Sequence, residues 1–395
     1  MKIKSYYSKM IHIGLFILIL ILNTSTLSSQ SIISLEAVYR GDRPYIKSMI
    51  NGKPALFLYD TGLVGMNLQD KFAKEANVKY GAMNKRDTVQ ICFGGISIST
   101  TLYKLDSTFL GGSDYQGIIG ASFFKDYIVE LDYSNQKIQL YNHDQVDLSE
   151  FNKLDSRQIN NNMMLFGFFI TKLNLKINDS TVITGNYFID TGSGRNISVL
   201  SHVALPIPTT SNYITIKIKN ASYFGDDFSK WFKIEKVIFN GKQYPGSIID
   251  YGLILNEDFS KNADGIIGGQ FLRNFRILID YKNGYIYVRE NSHSKGFTQS
   301  VVSTGIRFWD RRSDLGGFVI SGIIEKPGFP ETDLRLDDLI VKINGRDVMN
   351  MSEDEINQIR EKQETTNEIL RYKIKRKKII GYKTFEIVKV AKVLI

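Results

Sequence analysis

Short runs of apolar and β-branched residues, separated by glycine, asparagine and aspartate, recur along most of the chain. Such runs predict β-strands joined by turns. The clearest are Ala55–Tyr59, Val89–Phe93, Ile128–Leu131, Tyr213–Ile218, Val237–Phe239 and Tyr285–Val288. One helix is predicted from Gln69 to Ala76, because Leu68, Phe72 and Ala76 have helical spacing. The pattern therefore predicts a mainly β protein.

A repeat of long period divides the chain up to residue 290 into two copies. Each copy contains, in the same order, a short turn, an apolar run ending in Asp-Thr-Gly, an Ile-Ile-Gly segment and a strand ending in Asp-Tyr. The Asp-Thr-Gly segments begin at Asp60 and Asp190, which are 130 residues apart, and the Ile-Ile-Gly segments are 148 residues apart. Because four blocks keep their order, we expect two related β-rich units, residues 30–148 and 149–290.

The first 29 residues have the pattern of an export signal. Three lysines precede an unbroken apolar stretch over 11–22, and a mostly small, polar stretch follows. The apolar stretch is shorter than the ~20 residues that span a bilayer, so we predict a cleaved secretory signal peptide over 1–29. A retained membrane anchor is the alternative. Cleavage predicts a secreted or periplasmic protein with no stable membrane insertion.

The composition excludes several kinds of chemistry. Of the 395 residues, 43% are hydrophobic and 23% are charged, as in globular proteins. The single cysteine, Cys92, excludes an intrachain disulfide and a zinc site built on several thiolates. Residues 1–29 hold three lysines and no acidic residue, so removing them lowers the net charge from +9 to +6. This modest charge and the predicted export argue against nucleic acid as a partner. Carboxylates remain the candidate reactive groups, and we expect no metal and no cofactor.

Asp60 and Asp190 are the strongest candidates. Each follows apolar or aromatic residues, so a buried strand would present the carboxylate at its end, and the following glycine would let the chain turn sharply. Pseudo-twofold packing of the two copies would bring both carboxylates together. Two adjacent carboxylates share one proton, and a water between them faces an acid and a base at once, which suits amide hydrolysis. The alternative is that both residues only cap turns in a duplicated scaffold.

The two copies resemble the aspartic proteases, both pepsin-like and retroviral-type. The resemblance covers about residues 35–290 and rests on Asp-Thr-Gly followed later by two apolar residues and glycine. It implies two duplicated β-barrel lobes in one chain, with Asp60 and Asp190 as the catalytic dyad and peptides or unfolded proteins as substrates. In this family, threonine hydroxyls brace the two loops and the apolar-apolar-Gly segments support them. The supporting residues implied here are Thr61, Gly62, Thr191, Gly192, Ser193, Ile119, Gly120, Ile267 and Gly268.

The two copies differ in two features. Ser193 follows the second Asp-Thr-Gly, where its hydroxyl would donate to Asp190, whereas Leu63 follows the first and offers no donor. We therefore expect Asp190 to be the more acidic member of the dyad. The second copy also holds the flap candidate, an aromatic-glycine tip between two predicted strands. It comprises Tyr223, Phe224 and Gly225, for which an ordinary exposed hairpin is the alternative.

The last hundred residues follow a different pattern. After a polar linker over 290–296, strand-like runs include Phe318–Ile320 and a run that ends in an Asn344-Gly345 turn. A capping box at Ser352 then opens a helix. This order resembles the PDZ domains of bacterial exported proteases and implies an α+β PDZ domain over 299–395.

The PDZ resemblance also implies a binding site for a C-terminal peptide. The loop Ser303-Thr304-Gly305-Ile306 would receive the peptide C-terminus, and the peptide would add as a strand beside Gly305, Ile306 and Phe308. Two hypotheses follow for the whole chain. The first is an exported aspartic endopeptidase with a PDZ domain. The second is a catalytically inactive relative that binds peptides through its PDZ domain. Both aspartates are retained, which favours the enzyme.

Overall fold

The structure is a computed structural model that describes most of the chain after the predicted signal peptide. The described residues are 32–78, 88–93, 96–103, 115–160, 167–207, 213–219, 226–255, 257–294, 296–298, 300, 302–325, 334–363, 367–378, 382–390 and 392–393. The predicted signal peptide, 1–29, and the flap candidate, Tyr223, Phe224 and Gly225, lie outside these residues. None of the helices within the described segments is long and apolar enough to cross a membrane.

The predicted mainly β architecture is confirmed. Within its described residues the first unit, lobe 1, contains one α-helix, α1 (Asp70–Glu75), where the sequence predicted it. Its described strands are β1 (Ile33–Leu35), β2 (Ala37–Arg40), β3 (Arg43–Ile50), β4 (Lys53–Tyr59), β5 (Met66–Leu68), β6 (Thr88–Phe93), β7 (Ile96–Tyr103), β8 (Gly117–Ile119), β9 (Ile128–Asp132) and β10 (Lys137–Tyr141).

The second unit, lobe 2, repeats this sequence of elements with longer strands. Its short helices are α2 (Glu257–Ser260) and α3 (Gly269–Leu272). Its described strands are β11 (Asn152–Lys153), β12 (Ser156–Ile159), β13 (Phe168–Asn178), β14 (Thr181–Asp190), β15 (Ile197–Leu200), β16 (Tyr213–Lys219), β17 (Asp226–Lys233), β18 (Lys236–Phe239), β19 (Lys242–Pro245), β20 (Ile248–Leu253), β21 (Gly265–Gly268), β22 (Phe275–Asp280) and β23 (Tyr285–Glu290).

The third unit is a smaller α+β domain. Its helices are α4 (Arg312–Leu315) and α5 (Glu353–Gln363). The helix α5 begins at the predicted capping box: Glu355 accepts from the Ser352 backbone N–H at 2.7 Å, and the Glu355 N–H donates to the Ser352 hydroxyl. The described strands are β24 (Val302–Ser303), β25 (Ile306–Arg311), β26 (Gly317–Glu325), β27 (Leu339–Ile343), β28 (Arg346–Asp347), β29 (Ile369–Lys377), β30 (Tyr382–Val390) and β31 (Lys392–Val393).

The duplication seen in the sequence is repeated in the sheets. Lobe 1 contains the strand order β3-β4-β8-β5-β7-β6, and lobe 2 contains β13-β14-β21-β15-β20-β17. In each lobe the strand that ends at the Asp-Thr-Gly pairs in parallel with the strand of the Ile-Ile-Gly segment. The latter then pairs antiparallel with the strand that follows the Asp-Thr-Gly. The two copies therefore place their Asp-Thr-Gly loops equivalently.

A six-stranded sheet, in the order β1-β10-β9-β22-β23-β11, joins the lobes. Its central pair is β9 of lobe 1 and β22 of lobe 2, which run antiparallel. These strands end in the two Asp-Tyr blocks of the repeat. Across the pair, the guanidinium of Arg276 donates to Glu130 at 2.6 Å and lies 3.4 Å from Asp132, so the two buried carboxylates of lobe 1 share a charge from lobe 2. One apolar core runs through both lobes, while the third unit has a core of its own.

The third unit is joined to lobe 2 by backbone hydrogen bonds. Strand β26 pairs with β16 from Gly322 to Glu325, which extends the sheet of lobe 2 into the third unit. The predicted linker packs against lobe 2 as well, because Asn291 donates to the Asn274 carbonyl at 2.8 Å and the Thr298 carbonyl accepts from the Ile248 N–H at 2.9 Å. Lobe 2 and the third unit therefore share one continuous sheet.

Candidate active site

Strands β4 and β14 deliver the two candidate carboxylates to the junction of the lobes. Strand β4 is buried at Phe57, Leu58 and Tyr59 before the chain reaches Asp60, and β14 ends at Asp190. The Asp60 N–H donates to the Ile119 carbonyl at 2.9 Å, so the parallel neighbour β8 fixes the start of the loop. Both aspartates are half-buried. The structure thus brings Asp60 and Asp190 together, as the sequence predicted.

Glycine is required at position 192 beside the Asp60 carboxylate, and a side chain at position 62 would be in tight contact with both carboxylates. A Cβ on Gly192 would lie 2.3 Å from the Asp60 carboxyl carbon, and one on Gly62 would lie 3.1 Å from that of Asp190. Each loop therefore passes within contact distance of the opposite aspartate. The Gly62 N–H also donates to Asp60 Oδ1 at 2.7 Å, which holds that carboxylate in place.

Thr61 and Thr191 lock the two loops together through four buried hydrogen bonds. The Thr61 N–H donates to Thr191 Oγ1 at 3.1 Å, and the Thr191 N–H donates to Thr61 Oγ1 at 3.0 Å. Each hydroxyl donates in turn to a carbonyl of the opposite lobe: Thr61 to Ile189 at 2.7 Å and Thr191 to Tyr59 at 2.8 Å. Every donor in this arrangement has an acceptor, so the spacing of the two aspartates is fixed by backbone of both lobes.

The Ile-Ile-Gly segments lie under the loops. The Gly120 N–H donates to the Gly65 carbonyl at 2.7 Å, and the Gly268 N–H donates to the Asn196 carbonyl at 2.8 Å. A Cβ on Gly120 would lie 2.1 Å from the Leu63 carbonyl oxygen, so only glycine fits there. Ile119 and Ile267 are fully buried in the shared core. These supporting residues occupy the places that the sequence assigned to them.

Burial and mutual repulsion determine where the shared proton resides. Burial, and next the charge of Asp190, raises the pKa of Asp60 well above its ordinary value. Burial also raises the pKa of Asp190, but the hydrogen bond with Asp60, the N–H groups of Ser193 and Gly192, and the charge of Arg195 oppose that rise. The pKa of Asp60 is therefore raised more than that of Asp190, whose loop favours the ionised form, and this is the direction that the sequence predicted.

The cause of this asymmetry differs from the sequence prediction. The donor to Asp190 Oδ1 is the backbone N–H of Ser193, at 3.0 Å, and not the Ser193 hydroxyl. The hydroxyl instead accepts from the Arg195 N–H at 3.4 Å. The Ser193 N–H and its counterpart in lobe 1, the Leu63 N–H, each also donate to the backbone carbonyl of their own aspartate at 3.3 Å, so the loops differ in the additional bond from the Ser193 N–H to the Asp190 carboxylate. The loops differ because their backbones point different donors at the carboxylates.

An ion pair between Arg195 and Asp250, which the sequence did not predict, lies behind the Asp190 loop. The Arg195 guanidinium donates to Asp250 Oδ2 at 2.6 Å, and the Ser198 hydroxyl donates to the same oxygen at 3.0 Å. Asp250 is 5% exposed. Gly65 stands at the equivalent position of lobe 1, so the difference between the copies marked Arg195 as unusual. Its partner lies 55 residues further along the chain, and no local pattern could have named it.

A pair of tyrosines below the dyad was also missed. The hydroxyls of Tyr59 and Tyr281 are 2.6 Å apart and fully enclosed. Tyr59 immediately precedes Asp60, while Tyr281 follows β22 of the sheet that joins the lobes. Their contact ties the dyad strand of lobe 1 to that sheet. Burial and the neighbouring tyrosine raise the pKa of Tyr59, so the pair remains protonated at neutral pH.

The third unit arranges the predicted peptide-binding residues along one strand. Gly305 has φ +84°, and its N–H donates to the Ser303 hydroxyl at 3.0 Å, which shapes the turn before β25. Ile306 is buried, and Phe308 stacks on Phe318 with ring centroids 4.8 Å apart. Arg360 of α5 lies 6.0 Å from the Phe308 ring, so the helix runs beside β25. One edge of β25 pairs with β26. Among the described strands, β26 alone pairs with β25, so the other edge of β25 is the candidate for strand addition.

Residues 289–369 match the family model of the PDZ domain. This segment is a PDZ domain. The PDZ prediction is thereby confirmed, and a PDZ domain implies a peptide ligand. The match begins ten residues before the predicted boundary at 299, and the strands of the unit continue beyond its end to Val393. A search of curated proteins gave no match. Within the described segments, no three His, Cys, Asp or Glu side chains group as metal ligands.

Proposed function

We propose that the two lobes form an aspartic endopeptidase that hydrolyses peptides or unfolded proteins, with a PDZ domain that recognises peptide C-termini. One observation carries the proposal: two Asp-Thr-Gly loops, cross-bonded by Thr61 and Thr191, hold Asp60 and Asp190 in contact between duplicated lobes. A pair of turn caps would not need this lock, because a single loop can satisfy its own backbone. The pattern of residues 1–29 supports a secreted or periplasmic location.

The protonation of the dyad suits attack by water on an amide. Asp190, ionised, removes a proton from a water held between the carboxylates, while Asp60 donates its proton to the carbonyl oxygen of the substrate. The oxygen of the water thus bonds to the carbonyl carbon and forms a neutral tetrahedral diol. Asp190 then returns its proton to the amide nitrogen as the C–N bond breaks, and Asp60 takes a proton from one hydroxyl as the carboxylic acid product forms. The dyad ends as it began.

The test is cleavage of unfolded protein substrates by the purified mature chain from pH 3 to 8. Asp60→Asn and Asp190→Asn should each reduce turnover by at least ~10³-fold, because each leaves the reaction without its acid or its base. Asp144→Asn, at an exposed carboxylate, is the matched control. A statine-type transition-state analogue should bind far more tightly than substrate.

Thermal unfolding of the same variants separates a chemical defect from a folding defect. Because folding raises the pKa of Asp60, the folded state binds the Asp60 proton more tightly than the unfolded state does. This contribution to the free energy of unfolding is fully present below the unfolded pKa and is lost as pH rises through the folded pKa. Asp60→Asn removes this loss. It should therefore unfold at or above the parent temperature near neutral pH. Cleavage retained by either Asn variant would contradict the shared-water mechanism. A well-folded parent that neither cleaves nor binds the analogue would favour the inactive peptide-binding relative.

A further inference from the structure

The strand that receives the PDZ ligand is two strands away from a hairpin of lobe 2. Strand β25 pairs with β26 on one edge, and the last residues of β26 pair with β16 on the opposite edge, with Ile324 opposite Ile216. Strand β16 pairs along its length with β17. Strand β17 then pairs with β20, so the sheet runs without interruption from the PDZ strand to the strands behind the Asp190 loop.

The Arg307 side chain extends over one face of this sheet, from β25 towards β17. It begins on β25, and its guanidinium lies 4.3 Å from the centre of the Trp231 ring on β17. The path passes over Gly322 of β26, where a Cβ would lie 3.1 Å from Arg307 Cβ and 3.4 Å from Arg307 Cδ. A side chain at Gly322 would therefore press on the arginine. The cation–ring contact links the PDZ strand directly to lobe 2.

Trp231 continues the connection towards the dyad. It stands directly opposite Asp250 in the antiparallel register of β17 and β20, which places the two side chains on the same face of the sheet. Asp250 holds Arg195 at 2.6 Å, and Arg195 belongs to the loop that begins at Asp190. The charge of Arg195 favours the ionised form of Asp190 and so keeps its pKa from rising further. Trp231 and Asp250 are therefore cross-strand neighbours on the face of the sheet that leads to Arg195.

The direction of a bound peptide argues against simple delivery of substrate. The receiving loop ends at Ile306, the first residue of β25, so a peptide whose C-terminus lies in that loop runs antiparallel to the strand. Its C-terminal residues would lie beside Arg307, near the part of β26 that pairs with lobe 2. Its preceding residues would lead towards Arg311, which is opposite Gly317 and roughly 15 Å further along the sheet. A chain that left in this direction would have to reverse to reach the dyad.

We propose that Arg307 is a positioning residue through which a free C-terminal peptide on β25, from a molecule other than the one cleaved, adjusts the Asp190 loop by way of Trp231 and Asp250. The proposal rests on the proposed function, since it names a regulator of that site. A single cation–ring contact limits the effect to about 2- to 30-fold in kcat/KM or in affinity. By linkage, binding of a statine-type analogue in the cleft should change the affinity of the peptide by the same factor by which the peptide changes the affinity of the analogue.

Fluorescence of the full mature chain tests the connection without any cleavage. The sequence has two tryptophans, so Trp309→Phe leaves Trp231 as the only one. The probes are decapeptides with free C-terminal carboxylates, selected for binding from a random library, and their amidated forms serve as controls. We expect the free-carboxylate peptides to change Trp231 emission, and this change to be lost in Arg307→Gln. Gly322→Val should weaken it by displacing the arginine, whereas Arg311→Gln, at the far end of β25, should retain it.

The kinetic arm uses a short amidated substrate that cannot occupy the PDZ domain. The selected peptide should change its kcat/KM, and the affinity of a statine-type analogue, about 2- to 30-fold in the parent and not in Arg307→Gln. Peptides that bind without altering Trp231 emission would overturn the proposal, as would an equal response in Arg307→Gln or a library without binders. A selected peptide that only competes with substrates carrying the same C-terminus would show delivery instead. If no cleavage occurs in any variant, the proposed enzyme fails, while the emission change still decides the link through Arg307.

Discussion

Thr61→Val tests the lock that holds the dyad. Valine keeps the β-branched shape of threonine, so packing is preserved and the hydroxyl alone is removed. The change leaves the Ile189 carbonyl without its 2.7 Å donor and the Thr191 N–H without its 3.0 Å acceptor. Both groups remain buried. A buried group deprived of its partner costs about 1–3 kcal/mol, so the free energy of unfolding of the lobes should fall by about 4 kcal/mol.

Thermal unfolding followed by circular dichroism measures this loss. For units of this size, 1 kcal/mol corresponds to roughly 2–4 °C, so Tm should fall by about 8–16 °C. Thr184→Val, at an exposed threonine of the same strand that ends at Asp190, is the matched control and should change Tm little. Turnover should fall by about 100-fold, because the carboxylates lose their fixed spacing. A Tm within 2 °C of the control would refute the claim that these hydrogen bonds hold the two loops.

Four further predictions concern the dyad loops and the PDZ domain. Gly192→Ala should abolish turnover, because its Cβ would occupy the space of the Asp60 carboxylate, 2.3 Å away, and circular dichroism would show whether the fold persists. Ser193→Ala should leave the acid limb of the pH–rate profile in place, because the donor to Asp190 is a backbone N–H. Arg195→Gln should move that limb to higher pH, because loss of the positive charge raises the pKa of the base; equal limbs in both variants would contradict this cause. A chain ending at Ser300 should associate in size-exclusion chromatography, because it exposes the edge of β16 that β26 covers.

Much of the fold could be predicted because the repeat and the strand pattern are local. The helix predicted from Gln69 is observed as α1, and the Asn344-Gly345 turn has positive φ at both residues, as a tight hairpin between β27 and β28 requires. The join between the PDZ domain and lobe 2 could not be predicted. It depends on pairing between Thr215–Ile218 and Gly322–Glu325, and nothing in either strand's pattern selects the other.

The candidate site divides in the same way. Asp60, Asp190 and their threonines follow from a motif that occurs twice, so their meeting could be expected from symmetry alone. The Arg195–Asp250 pair and the contact of Tyr59 with Tyr281 could not, since their members are 55 and 222 residues apart in the chain. The sequence predicted the Ser193 hydroxyl as the donor to Asp190, whereas the structure has the Ser193 backbone N–H in that place. Residue type identifies a possible donor, but only the turn geometry decides which N–H or O–H faces the carboxylate.

Duplication within one chain has a consequence for the chemistry proposed. Two identical subunits must surround their carboxylates with identical loops, so neither aspartate has a fixed role until substrate binds. Here the loops have diverged: lobe 1 has Leu63 and Gly65 where lobe 2 has Ser193 and Arg195. The backbone N–H of Ser193 and the charge of Arg195 favour ionised Asp190, while burial and the charge of Asp190 raise the pKa of Asp60. In the proposed enzyme, acid and base are therefore assigned before substrate arrives, and because the charge of Asp190 raises the pKa of Asp60, a change in the lobe 2 loop alters both groups.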